Sequence, residues 1–123
     1  MSAPEALAAK LRAARAPAHA ACHHPIVVLL RRSHKPEKKF DAVLDGRTVS
    51  FGARGMSDFT LNKDPRRRAS YLQRHHKHET WTRAGLKTPG FWSRWLLWNK
   101  PNLEAAKRDL EHRFCLKLSR GRS

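Results

Sequence analysis

The chain has 123 residues and a formal net charge of +16 at pH 7, with a sequence pI of about 11.3. That length suits one domain and is short for two, and no apolar run approaches the roughly 20 residues of a membrane span. No fold requires so large a positive balance; it opposes compaction and favours a polyanionic partner, usually nucleic acid.

Residues 1–24 are Ala-rich and basic, with Lys10, Arg12 and Arg15 against one acid, Glu5. Leu7, Leu11 and Ala14 make a weak helical stripe. The stretch reads as a basic tail that orders on a partner, ahead of an organelle presequence. Ordered structure is expected over 25–116, with a second, frayed basic tail over 117–123.

Ile26 to Leu30 is β-branched and continuous, as in a buried strand. After a charged connection, two strands, 39–44 and 47–51, flank Asp45-Gly46. Asp-Gly supplies the positive φ angles of a type I′ hairpin. That turn pairs Leu44 with Arg47, Ala42 with Val49 and Phe40 with Phe51, all on one face. With the strand at 26–31 the simplest sheet is a three-stranded antiparallel meander. The glycine-containing stretch 52–60 fits neither the P-loop nor the dinucleotide fingerprint, and reads as a turn leaving the sheet. Phe59 and Leu61 are expected to fold back onto the core.

Asp64-Pro65 opens a helix expected to reach about His78, with Asp64 as cap. Ala69, Tyr71 and Leu72 are read as facing inward, and Arg66, Arg67, Arg68, Arg74 and Lys77 as covering the outside. Trp81 lies in the following loop. Thr88 to Pro101 reads as one short aromatic helix, capped by Thr88, with Pro89 in its first turn. Phe91, Trp95 and Trp98 share one face, and Trp92, Leu96 and Asn99 share another. A helix apolar on most sides is buried on most sides, so this is the expected centre of the core, with Trp81, Phe40 and Phe51 joining it. A last helix, about 101–116, presents Leu103, Ala106, Leu110 and Phe114 as one stripe. The fold class expected is α+β: a three-stranded antiparallel meander packed against about three helices.

Three constellations bear on chemistry. The basic set Arg31, Arg32, Lys38, Lys39, Arg66, Arg67, Arg68, Arg74 and Lys77 suits phosphate contacts, which give affinity without sequence readout. Histidines and a cysteine cluster at His19, Cys22, His23 and His24, and again at His75, His76 and His78. Adjacent helical histidines point about 100° apart, so neither group predicts a metal site. Catalysis is not predicted either, and no cofactor is expected. Asp58, Glu79 and the histidines compose only a distant third alternative, a metal-dependent nuclease. The two cysteines, Cys22 and Cys115, are far apart. They predict reduced thiols and a cytosolic, nuclear or virion-interior setting.

From about Ile26 to Phe114 the chain resembles an uncharacterised family of small basic proteins of nucleocytoplasmic large DNA viruses. The segments that carry the resemblance include Thr48-Val49-Ser50-Phe51-Gly52-Ala53, Gly55-Met56-Ser57-Asp58-Phe59-Thr60 and, above all, Trp95-Leu96-Leu97-Trp98-Asn99-Lys100-Pro101. The family has no assigned activity and no catalytic residues to carry over. The resemblance implies a viral source and a place in the virion; the nucleus or cytoplasm of the host cell is the other location expected. The leading expectation is a non-enzymatic protein that binds nucleic acid, DNA ahead of RNA, through phosphate contacts and organises or packages a genome. The alternative is a minor capsid protein that binds acidic protein surfaces.

Overall fold

A computed structural model describes residues 3–13 and 22–120. Helix α1 covers Ala3–Ala13. Strands β1 (Ile26–Arg32), β2 (Lys38–Leu44) and β3 (Arg47–Ala53) follow. Then come α2 (Phe59–Asn62), α3 (Pro65–His75), α4 (Pro89–Trp92), α5 (Leu103–Phe114) and β4 (Leu116–Arg120).

The hairpin has the expected register: Leu44 pairs with Arg47, Ala42 with Val49 and Phe40 with Phe51. Asp45 and Gly46 both take positive φ, 50° and 69°. The inner face of the sheet carries Val28, Leu30, Ala42, Leu44, Val49 and Phe51, all buried. On the other face Val27 is 59% exposed, and Leu29 and Val43 are half-buried.

The sheet is not the expected meander. It has four strands in the order β3-β2-β1-β4, and β4 runs parallel to β1. β4 forms where a frayed tail was expected, because Leu116 and Leu118 alternate with Lys117 and Ser119 and place an apolar side against the core. Leu116 is buried and Leu118 packs against the core. Reduced thiols are also overturned. Cys115 and Cys22 form a disulfide, with Cα atoms 5.5 Å apart. Cys115 ends α5 in the left-handed conformation, and its carbonyl accepts from the Ile26 N–H at 3.1 Å. The bond therefore staples the starting ends of β1 and β4.

The aromatic segment is buried as expected: Phe91, Trp92, Trp95, Leu96 and Leu97 are inaccessible or nearly so, as is Trp81. It is not one uniform helix. α4 gives way to a π-helical turn over Ser93–Leu97, closed by the Trp98 N–H on the Ser93 carbonyl at 3.1 Å. The rings interlock edge to face, Phe91 with Phe114 at 4.9 Å and Trp95 with Phe114 at 5.2 Å between centroids, which adds stabilisation beyond area buried.

Within the front of the chain, Ala3–Ala13 forms a helix. The described part of α1 docks on α3, and Leu7 packs against the core. Lys10 donates to the carbonyls of His76 and Glu79, and its ammonium lies 4.6 Å from the Trp81 ring centroid. A cation there complements the negative end of α3. The Leu11 side chain, Ala14 and Arg15, His19 and residues 121–123 lie outside the described residues. Leu61 does not fold back; it is 65% exposed, whereas Phe59 is buried.

Candidate nucleic-acid interface

Helix α3 starts as its sequence dictates. The Asp64 carboxylate accepts from the Arg66 N–H at 2.9 Å, and Pro65 takes the first position, a cap worth about 1 kcal/mol. The helix ends at His75, short of the expected His78. Tyr71 and Leu72 face the core. Tyr71 stacks between His75, at 4.2 Å, and Trp98, at 4.5 Å.

The structure divides the expected basic set. Arg66, Arg67, Arg74 and Lys77 are exposed. Arg68 is not on the outside. Its Nε donates to the carbonyls of Trp98 and Asn99 at 3.0 and 3.2 Å, and its guanidinium lies 5.7 Å from the Phe59 ring. Ala69, expected inward, is exposed. Both corrections have one cause. Arg68, Tyr71, Leu72 and His75 follow the i, i+3, i+4, i+7 spacing of a buried stripe, and Ala69 falls off it.

The remaining cations sit at one end of the sheet. Arg31 bonds Asp41 at 3.3 Å, and Lys39 bonds the nearly inaccessible Asp58 at 2.5 Å. These two are spent within the fold. Arg32 is exposed and Lys38 half-buried. The strand register brings Arg120 of β4 beside Leu30 of β1, and Lys38 of β2 beside Ala53 of β3. Beside this end, a cleft of about 190 Å³ between β1, β4 and α5 is flanked by Lys107, Arg108 and Arg120 but also by Glu104 and Glu111, and Lys107 bonds Glu104 at 3.3 Å.

Asp41, Asp58 and Glu79 are used internally, whereas Glu37, Asp45 and Glu104 are exposed. Asp58 accepts from the Thr60 N–H at 2.9 Å and caps α2. Asp41 accepts from the hydroxyls of Ser33 and Ser50 at 2.6 and 2.7 Å. Burial pushes its carboxyl up, but the bonds from Ser33, Ser50, the His34 N–H and Arg31 outweigh that and hold it below the ordinary 3.8. Glu79 accepts from the Trp81 indole at 2.9 Å and contacts His75 Nδ1 at 2.8 Å. Asp58 and Glu79, the acids of the third alternative, therefore have structural roles. Among the described residues no group of three or more His, Cys, Asp or Glu comes together to hold a metal ion.

Arg94 lies inside the aromatic segment and points into the core. It is 2% exposed and sits on π faces, 4.1 Å from the Trp95 centroid and 5.2 Å from that of Trp81. Its Nη1 donates to the Trp98 carbonyl at 3.4 Å, and its Nε has no partner. The nearby Asp109 carboxylate is held by Arg113 at 3.1 Å and by Asn99 at 2.7 Å. Burial, and then repulsion by Arg68 and Arg113, push the Arg94 guanidinium down to about 9, so it is charged at neutral pH. It belongs to the core and not to the surface that meets a partner. Its spacing with Phe91, Trp95 and Trp98 is the signal for burial.

Residues 28–75 match the model of a family described as Family of unknown function (DUF5754). The matched stretch runs from β1 through the end of α3, so it holds the hairpin and the basic helix. No curated protein and no solved structure matches the chain. No helix among the described residues is long and apolar enough to cross a membrane.

Proposed function

We propose that this protein binds nucleic acid without sequence preference, through phosphate contacts, and performs no catalysis. The observation that carries the reading is the division of charge. The acids Asp41, Asp58, Glu79 and Asp109 are engaged inside the fold, whereas Arg66, Arg67, Arg74 and Lys77 remain exposed on one helix. Such a surface binds a polyanion by releasing counterions. The resemblance to small basic proteins of large DNA viruses supports genome packaging or organisation in a virion, and DNA ahead of RNA. Reducing compartments do not maintain a disulfide, so the Cys22–Cys115 bond favours an assembled particle over the host nucleus or cytoplasm.

The second reading is a minor capsid protein that binds other proteins. The uncovered sheet face around Val27 favours it. Binding to random-sequence duplex DNA across a salt series separates the two. Genome binding gives a steep negative slope of log affinity against log salt, about 0.9 for each phosphate contacted. Absent or salt-insensitive binding near physiological ionic strength overturns it in favour of an acidic protein partner.

A further inference from the structure

We infer that the partner is double-stranded DNA and that α3 is the element that enters its major groove; this rests on the nucleic-acid reading above. Two independent observations point there. The first is what α3 leaves uncovered. Arg66, Arg67, Ala69, Ser70, Gln73 and Arg74, with Lys77 just past the end, are all exposed. At 100° per residue they span an arc of about 160°. Arg66 and Lys77 mark the two ends of this stripe, and Arg67 and Arg74 lie along one side. Between them Ala69, Ser70, Gln73 and Arg74 line a shallow depression. Small side chains in the middle let the helix backbone approach base edges closely, while longer cations at the ends reach phosphates. The end cations are separated by about 16 Å along the axis, comparable with a B-form major groove about 12 Å wide. The stripe stays exposed beside α1, whose Lys10 contacts the carbonyls of His76 and Glu79.

The second observation concerns the rings. Proteins that hold single strands stack bases on exposed aromatic side chains. Here, among the described residues, every Trp, Tyr and Phe is buried or half-buried, and the fully exposed rings are small imidazoles such as those of His34 and His78, so the surface offers no broad aromatic platform to an unpaired base. A-form RNA is disfavoured for a different reason. Its major groove is deep and narrow and does not admit a helix.

The test compares three probes of one sequence and length at one ionic strength: duplex DNA, single-stranded DNA and duplex RNA, each titrated with the full chain. Duplex DNA is expected to bind at least about tenfold tighter than either of the others. Methylation of guanine N7, an atom of the major groove, is expected to be blocked in the complex. Ser70→Leu, an exposed change that keeps the charge, is expected to weaken duplex binding about tenfold while leaving single-strand binding unchanged. Salt-sensitive binding to all three probes with no duplex preference, or N7 left open to methylation, overturns this inference alone. Binding to none of them overturns it together with the reading beneath it.

Discussion

Tyr71 and Trp98 stack with their ring planes 6° apart and their centroids 4.5 Å apart. This pair holds the basic helix to the aromatic core, and Arg68 adds bonds to the Trp98 and Asn99 carbonyls beside it. Tyr71→Ala opens a cavity at the seam and is expected to lower stability by about 3–5 kcal/mol. Tyr71→Phe keeps the stack and should lose much less. Urea unfolding of the two variants checks this.

Arg94 keeps a charge in the core without an ion pair among the described residues. Arg94→Met fills a similar volume and removes the desolvation penalty of a buried charge, so stability is expected to hold within about 1 kcal/mol or to rise. Arg94→Ala is expected to lose about 2–4 kcal/mol through the void it leaves against Trp81 and Trp95. Because Arg94 does not reach the surface, the salt slope of DNA binding should be the same for Arg94→Met as for the wild type.

The exposed cations of α3 are expected to behave differently from the buried one beside them. Reversal of Arg66, Arg67 and Arg74 to Glu should flatten the salt slope by about three phosphate contacts and leave the melting curve nearly unchanged. Arg68→Glu removes the donor to the Asn99 carbonyl and one of two donors to that of Trp98, and should cost about 2–3 kcal/mol of stability. A denaturation curve beside each binding isotherm separates the two effects.

Local signals were legible in the sequence where one residue type has one physical use. Asp45-Gly46 with its apolar flanks specified both the turn and the register, and Asp64-Pro65 specified the start of α3. Burial of the tryptophan-rich segment followed from its lack of a polar side. The interface was legible only in part, because charge alone does not say which way a side chain points. Arg68 and Arg94 look like surface residues until their spacing to aromatic neighbours is counted. The parallel strand at 116–120 was hidden because its partner, β1, is about ninety residues away in sequence, and nothing local marks such a pairing. The disulfide was hidden for the same reason, since its cysteines are 93 residues apart.

Acid stability should report the buried carboxylates. Asp41 and Asp109 both titrate below the ordinary 3.8 in the folded chain; burial raises each, and their hydrogen bonds more than offset it. Below 3.8 the unfolded chain takes up these protons first. The stabilisation they give is therefore complete above that pH and is lost as pH falls through the folded values. Asp41→Asn is expected to be less stable than the wild type at pH 7 by about 1–3 kcal/mol, and the gap should narrow below pH 3.8. Urea midpoints between neutral pH and pH 2.5 measure it.

Removal of the disulfide should be felt throughout the domain. Cys22→Ser releases a closed loop of some ninety residues, and the chain-entropy estimate for such a loop is about 4.6 kcal/mol. Hydrogen exchange in β4 and in the first residues of β1 is expected to rise before that of the hairpin, because those two strand starts are what the bond holds together. Treatment of the wild type with a thiol reductant should reproduce the variant.

The adjacency of β1 and β4 also bears on how the chain is made. Leu30 and Arg120 are neighbours in the finished sheet, so a nascent chain emerging from the ribosome carries β1 with one edge open until β4, about ninety residues later, has been made. The hairpin of β2 and β3 can form on the way out, being local. The fourth strand cannot, and pairings of such sequence separation are slow to form. During synthesis the Ile26–Leu30 edge is thus the part of this molecule most in need of a chaperone, or of a bound polyanion to keep neighbouring nascent chains from pairing with it.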